Sequence, residues 1–190
     1  MEVSWSEIVW FASCIPKHAF LLWLVIRKKL LTQDKLLRWE QTRRKSMNMM
    51  CCVLCYNNLD SHEHLFFSCK YSSQVWCQVR SHADMSSIQP DWNDIFSDLN
   101  QRRNMKLVGN IVACLTVAAA TYYIWRERNR RIFQDNARPP DDLAQEILNT
   151  VRFKLMGLKF KPSIQVMRML GKWNICGEGM LDNDDMFGFS

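Results

Sequence analysis

The amino-acid sequence predicts a mainly α-helical fold, in which a small helical domain is stapled by a Cys/His loop and followed by a helical C-terminal extension. Three observations support this prediction. The chain has only six glycines and five prolines in 190 residues, and turn-rich β folds need more of both. Apolar residues recur at helical spacing along most of the chain. Cysteines and histidines concentrate between residues 51 and 69. The hydrophobic content of 48% allows a real core.

Three helices are predicted before the Cys/His loop. The first covers residues 5–11 and turns its aromatic side chains inward. The second begins at Pro16, because the first position of a helix needs no N–H donor, and it ends near Lys28. Its expected core residues are Ala19, Phe20, Trp23, Leu24 and Ile26. The third runs from Gln33 to about Gln41, with Thr32 as its N-cap and Asp34 near the positive end of the helix dipole.

Four side chains in the Cys/His loop have the spacing of a metal site. Cys52, Cys55, His64 and Cys69 follow the pattern C-x2-C-x8-H-x4-C. Three thiolates and one imidazole are the donors of a closed tetrahedral zinc site, so the predicted cofactor is a zinc ion. Four protein ligands leave no position for a water molecule. The predicted zinc therefore holds the fold and does not activate a nucleophile.

Alternative assignments of the loop stay open at this point. Cys51 could replace Cys52, although C-x3-C is the less usual turn, and His62 could replace His64. His64 is preferred because it opens the apolar run of residues 65–67. The other interpretation is that these are ordinary buried cysteines beside a surface histidine. The chain has eight cysteines, but metal-type spacing is a more specific signal than their number.

Further helices are predicted after the loop, and a linker between two of them divides the chain. A helical turn is expected over residues 64–69, and helices over about 72–81, 91–99, 104–134, 141–157 and 162–172, the first of them capped by Ser72 or Ser73. The segment 83–89 is the predicted linker. The resulting domains are a zinc-binding domain over 1–82, a helical extension over 83–175 and an acidic tail over 176–190. The tail has no basic residue from Gly177 onward and is expected to be disordered.

Residues 107–125 carry no charge and approach the length that spans a bilayer. Large aliphatic side chains are few, and the bulkier residues fall on one helical face. This pattern is typical of a buried helix in a globular bundle. No membrane partner is therefore predicted.

Basic residues form two clusters in a chain whose net charge is +6. Residues 27–45 hold eight basic residues against Asp34 and Glu40, and a second cluster follows at 126–131. Both could neutralise phosphates of RNA or DNA, with Tyr56 or Phe66 as a stacking partner. The candidate nucleic-acid-binding residues are Arg43, Arg44, Lys45, Arg126, Arg128, Arg130 and Arg131. Alternatively these residues are solvated helix surface, or Arg128 and Arg131 form salt bridges across the bundle.

No catalytic residues are predicted. His62-Glu63 begins a metalloprotease H-E-x-x-H pattern, but Phe66 occupies the position of the second histidine. Deaminase motifs and phosphate-binding glycine loops are absent from the sequence. Asp184-Asp185 lies in the acidic tail without the aromatic residue of a polymerase motif. We therefore expect that the chain is not an enzyme and has no small-molecule substrate.

The order of the sequence motifs resembles the zinc-binding domain that follows the reverse transcriptase in plant non-LTR (LINE-type) retrotransposons. The resemblance covers about Trp5 to Arg80. It is carried by the segments IPKHAFLLWL (15–24), LTQDKL (31–36), the C-x2-C pair, HLFFSC (64–69) and SQVW (73–76). A further segment, IWRERNRRIF (124–133), resembles the W-x-E-R-N-x-R-x-F block that often follows this domain. The resemblance implies a non-catalytic appendage of a larger polyprotein.

These observations lead to two hypotheses about function. The first is a non-catalytic zinc-binding module derived from a retrotransposon reverse transcriptase polyprotein, which binds RNA or DNA through its basic clusters. The alternative is a zinc-stabilised protein-docking or structural module without nucleic-acid binding, whose partner is a reverse transcriptase or another retroelement protein. The N-terminal residues do not form a basic-then-apolar export signal. We therefore expect an intracellular, reducing compartment in which the thiols stay available to zinc.

Overall fold

The computed structural model describes residues 5–39, 51–103 and 108–175. Within these ranges the chain forms α-helices and short turns and no β-strand, which confirms the mainly α-helical fold class. In chain order the helices are α1 (Ser6–Val9), α2 (Pro16–Ile26), α3 (Gln33–Trp39), α4 (Lys70–Val79), α5 (Trp92–Arg103), α6 (Val108–Gln134), α7 (Pro140–Met156) and α8 (Ile164–Lys172). A π-helical turn, His64–Ser68, precedes α4, and a 3-10 turn, Arg80–Ala83, follows it.

Helix α6 lies at the centre of the fold and contacts α1, α2, α4, α5, α7 and α8. By length and composition it could cross a membrane, but 67% of its most apolar window is buried inside the protein. Its side chains from Val112 to Thr121 are buried on all sides. Such an arrangement is that of the core helix of a bundle, which agrees with the expectation from the sequence.

The buried faces of the first two helices differ from those predicted. In α1 the buried side chains are Ile8 and Val9. The aromatic side chains of Trp5 and Phe11 pack against the core as predicted, but Trp10 is 47% exposed, so the prediction of an inward aromatic is wrong for Trp10. Helix α1 ends at Val9, and Trp10 therefore leaves the helical register. In α2 the prediction that Phe20 lies in the core is also wrong, because its side chain is 53% exposed.

The face that α2 does bury is set by its contact with α6. His18 packs its ring against those of Tyr122 and Tyr123, with centroids 4.3 and 5.6 Å apart. The stripe that contains His18, Leu22 and Val25 is accordingly the one that faces inward. Helix α2 itself carries apolar residues on most of its faces. Its sequence pattern therefore does not show which of these faces is buried.

Helix α4 begins at Lys70, earlier than predicted, so Ser72 and Ser73 lie inside the helix and neither is its N-cap. The Ser72 hydroxyl is buried and donates a 2.6 Å hydrogen bond to the carbonyl of Leu65 in the π-helical turn. The predicted burial of Val75, Trp76 and Val79 is found. Helix α4 is therefore fixed to the turn that begins at the ligand candidate His64 and ends just before the ligand candidate Cys69.

Helices from both sides of the predicted boundary at residues 82 and 83 share one core in the part of the chain that the structure describes. Helix α4 packs against α7, and α2 packs against α6. The division into two domains therefore remains a sequence-based prediction. The acidic tail lies outside the described residues.

Candidate metal centre

The C-x2-C pair lies in a tight loop held by backbone hydrogen bonds. Cys51 and Leu59 form an antiparallel bridge, and the Cys52 N–H donates to the Asn58 carbonyl at 2.6 Å. The Tyr56 N–H donates a hydrogen bond to the Cys52 carbonyl at 2.7 Å. Tyr56 has a left-handed backbone conformation with φ of 59°. This turn brings the side chains of Cys52 and Cys55 to the same side of the loop.

The other two candidates lie at the two ends of the π-helical turn, since His64 is its first residue and Cys69 follows its last. The Cys69 N–H donates to the His64 carbonyl at 2.7 Å, which is a hydrogen bond between residues five apart and therefore of the π type. Leu65, Phe66 and Phe67 between them are buried and anchor the turn in the core. The predicted helical turn over residues 64–69 is thus present, in the wider π form. Such π turns are frequent at functional sites.

The four candidate donor atoms of Cys52, Cys55, His64 and Cys69 lie within 4.8 Å of one another. The Sγ atoms of Cys52 and Cys69 are 3.8 Å apart, and the Cys55 Sγ is 3.2 Å from the His64 Nε2. Tetrahedral Zn–S bonds of about 2.3 Å place two sulfur ligands about 3.8 Å apart, so the spacing fits zinc. Three sulfur donors and one nitrogen donor also favour zinc over cations that prefer oxygen ligands.

Neither alternative ligand belongs to this cluster of donor atoms. Cys51 is half-buried in the antiparallel bridge. His62 is buried against Phe66, and its Nε2 atom has no hydrogen-bond partner among the described residues. The geometry therefore favours Cys52 over Cys51 and His64 over His62.

The buried thiols of Cys52 and Cys69 interact directly. The hydrogen bond from Cys52 lowers the pKa of Cys69 to about 5, because it stabilises the thiolate form. The same hydrogen bond, together with burial, raises the pKa of Cys52. In the metal-free protein the pair therefore favours a thiolate at Cys69, and zinc binding releases the protons of the other thiols in the set.

Arg131 of α6 supports the loop from behind. Its guanidinium Nη1 donates to the carbonyls of Val53 and Leu54, each at 3.2 Å, and these are the two residues between Cys52 and Cys55. Its Nε donates to the Glu127 carboxylate at 2.9 Å. The Arg131 side chain is 9% exposed and that of Glu127 is fully buried. Helix α6 is thereby joined to the backbone of the cysteine turn.

Asp60 makes a second connection between α6 and the loop. Its Oδ2 accepts a 2.5 Å hydrogen bond from the Arg128 Nη2, and both side chains are almost completely buried. The same oxygen accepts the backbone N–H of Gln33 at 3.1 Å, which is a first-turn donor of α3 that otherwise lacks a partner. Asp60 thus connects α3, the loop and α6.

Glu127 is the central anion of this group. Its carboxylate accepts hydrogen bonds from the Arg138 backbone N–H at 2.9 Å and from the Arg138 Nε at 3.0 Å, besides that from Arg131. Burial raises the pKa of Glu127, but these donors outweigh it and hold the pKa below its ordinary value. We call Asp60, Glu127, Arg128, Arg131 and Arg138 the α6 ion-pair network.

The structure separates the basic residues that the sequence grouped as nucleic-acid candidates. Arg43, Arg44 and Lys45 lie outside the described residues. Arg128 and Arg131 are buried in the α6 ion-pair network, as the salt-bridge alternative stated. Arg126 and Arg130 line a cleft on the surface of α6.

The two candidate stacking residues also differ in their accessibility. Phe66 is fully buried and is therefore not available for stacking, whereas Tyr56 is 68% exposed.

Sequence reasoning did not find Asp60, Glu127 or Arg138. Asp60 and Arg128, which pair with each other, are separated by 68 positions in the sequence. No sequence periodicity connects residues that far apart. One part of the network has a local signal, because Glu127 and Arg131 have the four-residue spacing of a helical ion pair. That signal does not show that the pair is buried.

Comparison with known families identifies a match over the N-terminal part of the chain. Residues 1–76 match the family model described as zinc-binding in reverse transcriptase. The matched segment contains the four candidate ligands and ends within α4. No curated protein and no solved structure gives a match to the chain. The family match and the cluster of three cysteines and one histidine together support zinc as the cofactor.

Proposed function

We propose that this protein is a non-catalytic zinc-binding module, derived from the reverse transcriptase polyprotein of a plant LINE-type retrotransposon, that binds RNA or DNA through its basic residues. The observation that carries the proposal is the closed set of four donor atoms, all within 4.8 Å of one another. A metal held by four protein ligands has no position left for substrate or reactive water, so its role is structural. Bound zinc supplies folding free energy to the loop.

The residues of the chain orient the ligands. The backbone turn at residues 52–56 presents two sulfurs, and the π-helical turn presents the third sulfur and the imidazole. Arg131 holds the carbonyls of Val53 and Leu54 in place from α6. Groups that support metal ligands from outside raise the affinity of such sites.

The distribution of charge supports a polyanionic partner. The basic run of residues 27–45 immediately precedes the Cys/His loop in the sequence. In its described part, Arg27, Lys28 and Lys29 are exposed at the end of α2. The Lys28 Nζ lies 2.8 Å from the Glu63 carboxylate, so this end of α2 adjoins the candidate zinc site. Exposed cations beside the Cys/His loop suit the phosphates of RNA or DNA. A reducing intracellular compartment completes the proposal, because zinc needs reduced thiols.

Binding titrations of the zinc-loaded protein with RNA and DNA at two salt concentrations test the nucleic-acid part of the proposal. Replacement of Arg43, Arg44 and Lys45 by alanine is expected to weaken binding similarly for all sequences. It is also expected to flatten the dependence of log K on log salt by about 0.7 to 0.9 for each phosphate that is no longer neutralised. A control that removes the same charge replaces Lys154, Lys159 and Lys161 and is expected to bind as the parent does. Equal affinities of both triple variants would contradict a role for residues 43–45.

A second candidate function is docking onto the reverse transcriptase of the same polyprotein. The observation that favours it is exposed aromatic surface. Trp10 is 47% and Phe20 53% exposed, and Phe20 packs against Trp23 with ring centroids 5.8 Å apart. If the parent protein binds neither RNA nor DNA at low salt, docking becomes the better proposal. Phe20→Ser is then expected to weaken binding to the polymerase domain.

A further inference from the structure

The outer surface of the last four turns of α6 contains a cleft of about 490 Å³. Its main lining residues are Tyr122, Trp125, Arg126, Arg130 and Phe133, which recur at spacings of three and four and therefore share one face of the helix. We call this feature the α6 groove. It lies on the helix that also carries the buried ion-pair network, but it uses different residues.

Exposed aromatic surface is the first unusual property of the α6 groove. Phe133 is 78% exposed, so its ring contributes little to the core. Trp125 and Tyr122 are partly exposed. Both rings have a cation over one face, because the Arg128 guanidinium lies 4.7 Å from the Trp125 ring centroid and the Lys17 Nζ lies 5.3 Å from that of Tyr122. The groove thus presents exposed or partly exposed aromatic rings along one face of a helix.

Positive charge is the second property. None of the described side chains that line the groove is a carboxylate. Within the described ranges Arg130 has no ion-pair partner. Arg126 lies 3.1 Å from Glu146, but Glu146 is shared with Arg138. Since Arg126, Arg131 and Arg138 together share the carboxylates of Glu127 and Glu146, this end of α6 keeps an excess of positive charge.

Exposed rings beside arginines whose charge is only partly neutralised are the arrangement that binds unpaired nucleotides. The arginines attract the phosphates, and each ring offers a face on which a base can stack. A duplex hides its base faces within the stack, so it can use the arginines but not the rings. Protein interfaces also use Trp, Tyr and Arg, but the excess of positive charge favours a polyanion.

We infer that the α6 groove binds single-stranded nucleic acid, with Phe133 as the stacking residue and Arg126 and Arg130 as phosphate contacts. This inference rests on the proposed function, since it identifies the form of nucleic acid and the surface that receives it. It also assigns the phosphate contacts of the second basic cluster to the two arginines outside the buried network.

Fluorescence anisotropy with the full-length zinc-loaded protein tests the inference. The probes are a labelled 12-nucleotide uridine RNA, the matching thymidine DNA and a 12-base-pair RNA duplex. Phe133→Ala is expected to weaken binding of the single strands about tenfold and to leave duplex binding unchanged. Arg130→Gln is expected to reduce the salt slope for the single strands by about 0.7. Both side chains lie at the surface, so both variants are expected to melt at the parent's temperature.

Matched controls come from other exposed positions. Phe153 is 68% exposed on α7, and Lys161 is exposed after that helix, and neither lines the groove. Phe153→Ala and Lys161→Gln are expected to bind as the parent does. If the parent binds single strands and the two groove variants bind them equally well, the groove inference is wrong and the proposed function survives. If the parent binds the duplex but not the single strands, the groove inference is likewise wrong and the proposed function survives. If the parent binds no probe even at low salt, the proposed function fails together with the groove.

Discussion

Arg131 shows how a single buried side chain connects helix packing to the metal loop. Its guanidinium contacts the Glu127 carboxylate, the Val53 and Leu54 carbonyls, and the face of the Tyr71 ring at 4.4 Å. Burying such a group is costly, and its net contribution is small when every partner is present. Removal of one member is expected to lower the stability of the fold, because the remaining polar groups stay buried without their partner.

Arg131→Met is therefore expected to destabilise the protein by about 2 to 3 kcal/mol. It is also expected to weaken zinc binding by about tenfold, since the backbone of the cysteine turn loses its support. Chelator competition and thermal unfolding measure these two effects. The control is Arg126→Met, whose side chain is 53% exposed in its ion pair and whose loss should cost less than about 1 kcal/mol. Unchanged zinc affinity in Arg131→Met would show that the cysteine turn does not need α6.

His18 is a second residue whose environment has a measurable consequence. It is 1% exposed between two tyrosine rings, and neither ring nitrogen has a partner among the described residues. Burial and the nearby charge of Lys17 lower its pKa from 6.5 to about 4. The unfolded chain therefore takes up a proton near pH 6.5, whereas the folded protein does not until about pH 4.

The stability that depends on neutral His18 is accordingly complete above pH 6.5 and is lost as the pH falls toward 4. The loss should reach up to about 3 kcal/mol. His18→Phe, which keeps an aromatic ring at this position, is expected to show a shallower decrease in melting temperature between pH 7 and pH 5 than the parent. Acid release of zinc affects both proteins, so the difference between the two curves isolates His18. Parallel curves would be inconsistent with a buried neutral histidine.

At the scale of helices, α6 and α7 complete the packing of the segment that carries the ligands. Helix α7 packs along α4, and the Tyr71 hydroxyl donates to the Arg138 carbonyl at 3.0 Å just before α7 begins. Helix α6 covers α2 through the contacts of His18. The helical extension therefore supplies much of the surface against which the zinc-binding segment is buried.

A fragment of residues 1–82 is expected to bind zinc but to lack a sharp thermal transition. It loses Arg128, Arg131 and the helices that cover α2 and α4, so apolar side chains become exposed. Circular dichroism melting and binding of a hydrophobic dye measure both effects. A fragment of residues 1–175, which keeps every described helix, is expected to melt within a few degrees of the full chain. A sharp transition of fragment 1–82 at the parent's temperature would support an independent domain.

For the whole molecule, the zinc site and the hydrophobic core are continuous. Cys52 and Cys69 are fully buried and belong to the same core cluster as Phe66, Phe67 and Trp76. Structural zinc contributes about 10 to 16 kcal/mol in small zinc-binding peptides, and whole domains have net stabilities of about 5 to 15 kcal/mol. Loss of the metal is therefore large enough to unfold more than the loop.

We expect one zinc per chain, and we expect Cys55→Ser to lose it together with protection from hydrogen exchange over residues 51–79. Metal analysis and hydrogen exchange measure these outcomes. Cys77→Ser is the control, because this cysteine is exposed and lies outside the cluster. Cys51→Ser is expected to behave like this control. Full zinc content in Cys55→Ser, or zinc loss in Cys51→Ser, would require a different ligand set.

The sequence by itself determined the features that depend on near neighbours. Helix periodicity arises from residues three and four apart, so the fold class and most helices were predictable, including the start of α2 at Pro16. The four donors lie within residues 52–69, and the structure places them together. Short loops can close in few ways, so spacing alone carried information about a metal site.

The tertiary structure alone decided which face of α2 is buried and which arginines of the second cluster remain at the surface. Both depend on partners far away in the chain, such as Tyr122 for His18 and Asp60 for Arg128. In the segment Arg126–Arg131, successive side chains point in different directions around one helix. Packing against α4, α7 and the Cys/His loop buries Arg128 and Arg131 and leaves Arg126 and Arg130 in the α6 groove. No local sequence pattern shows which of these arginines is buried, because their burial arises only when helices distant in sequence pack in one core.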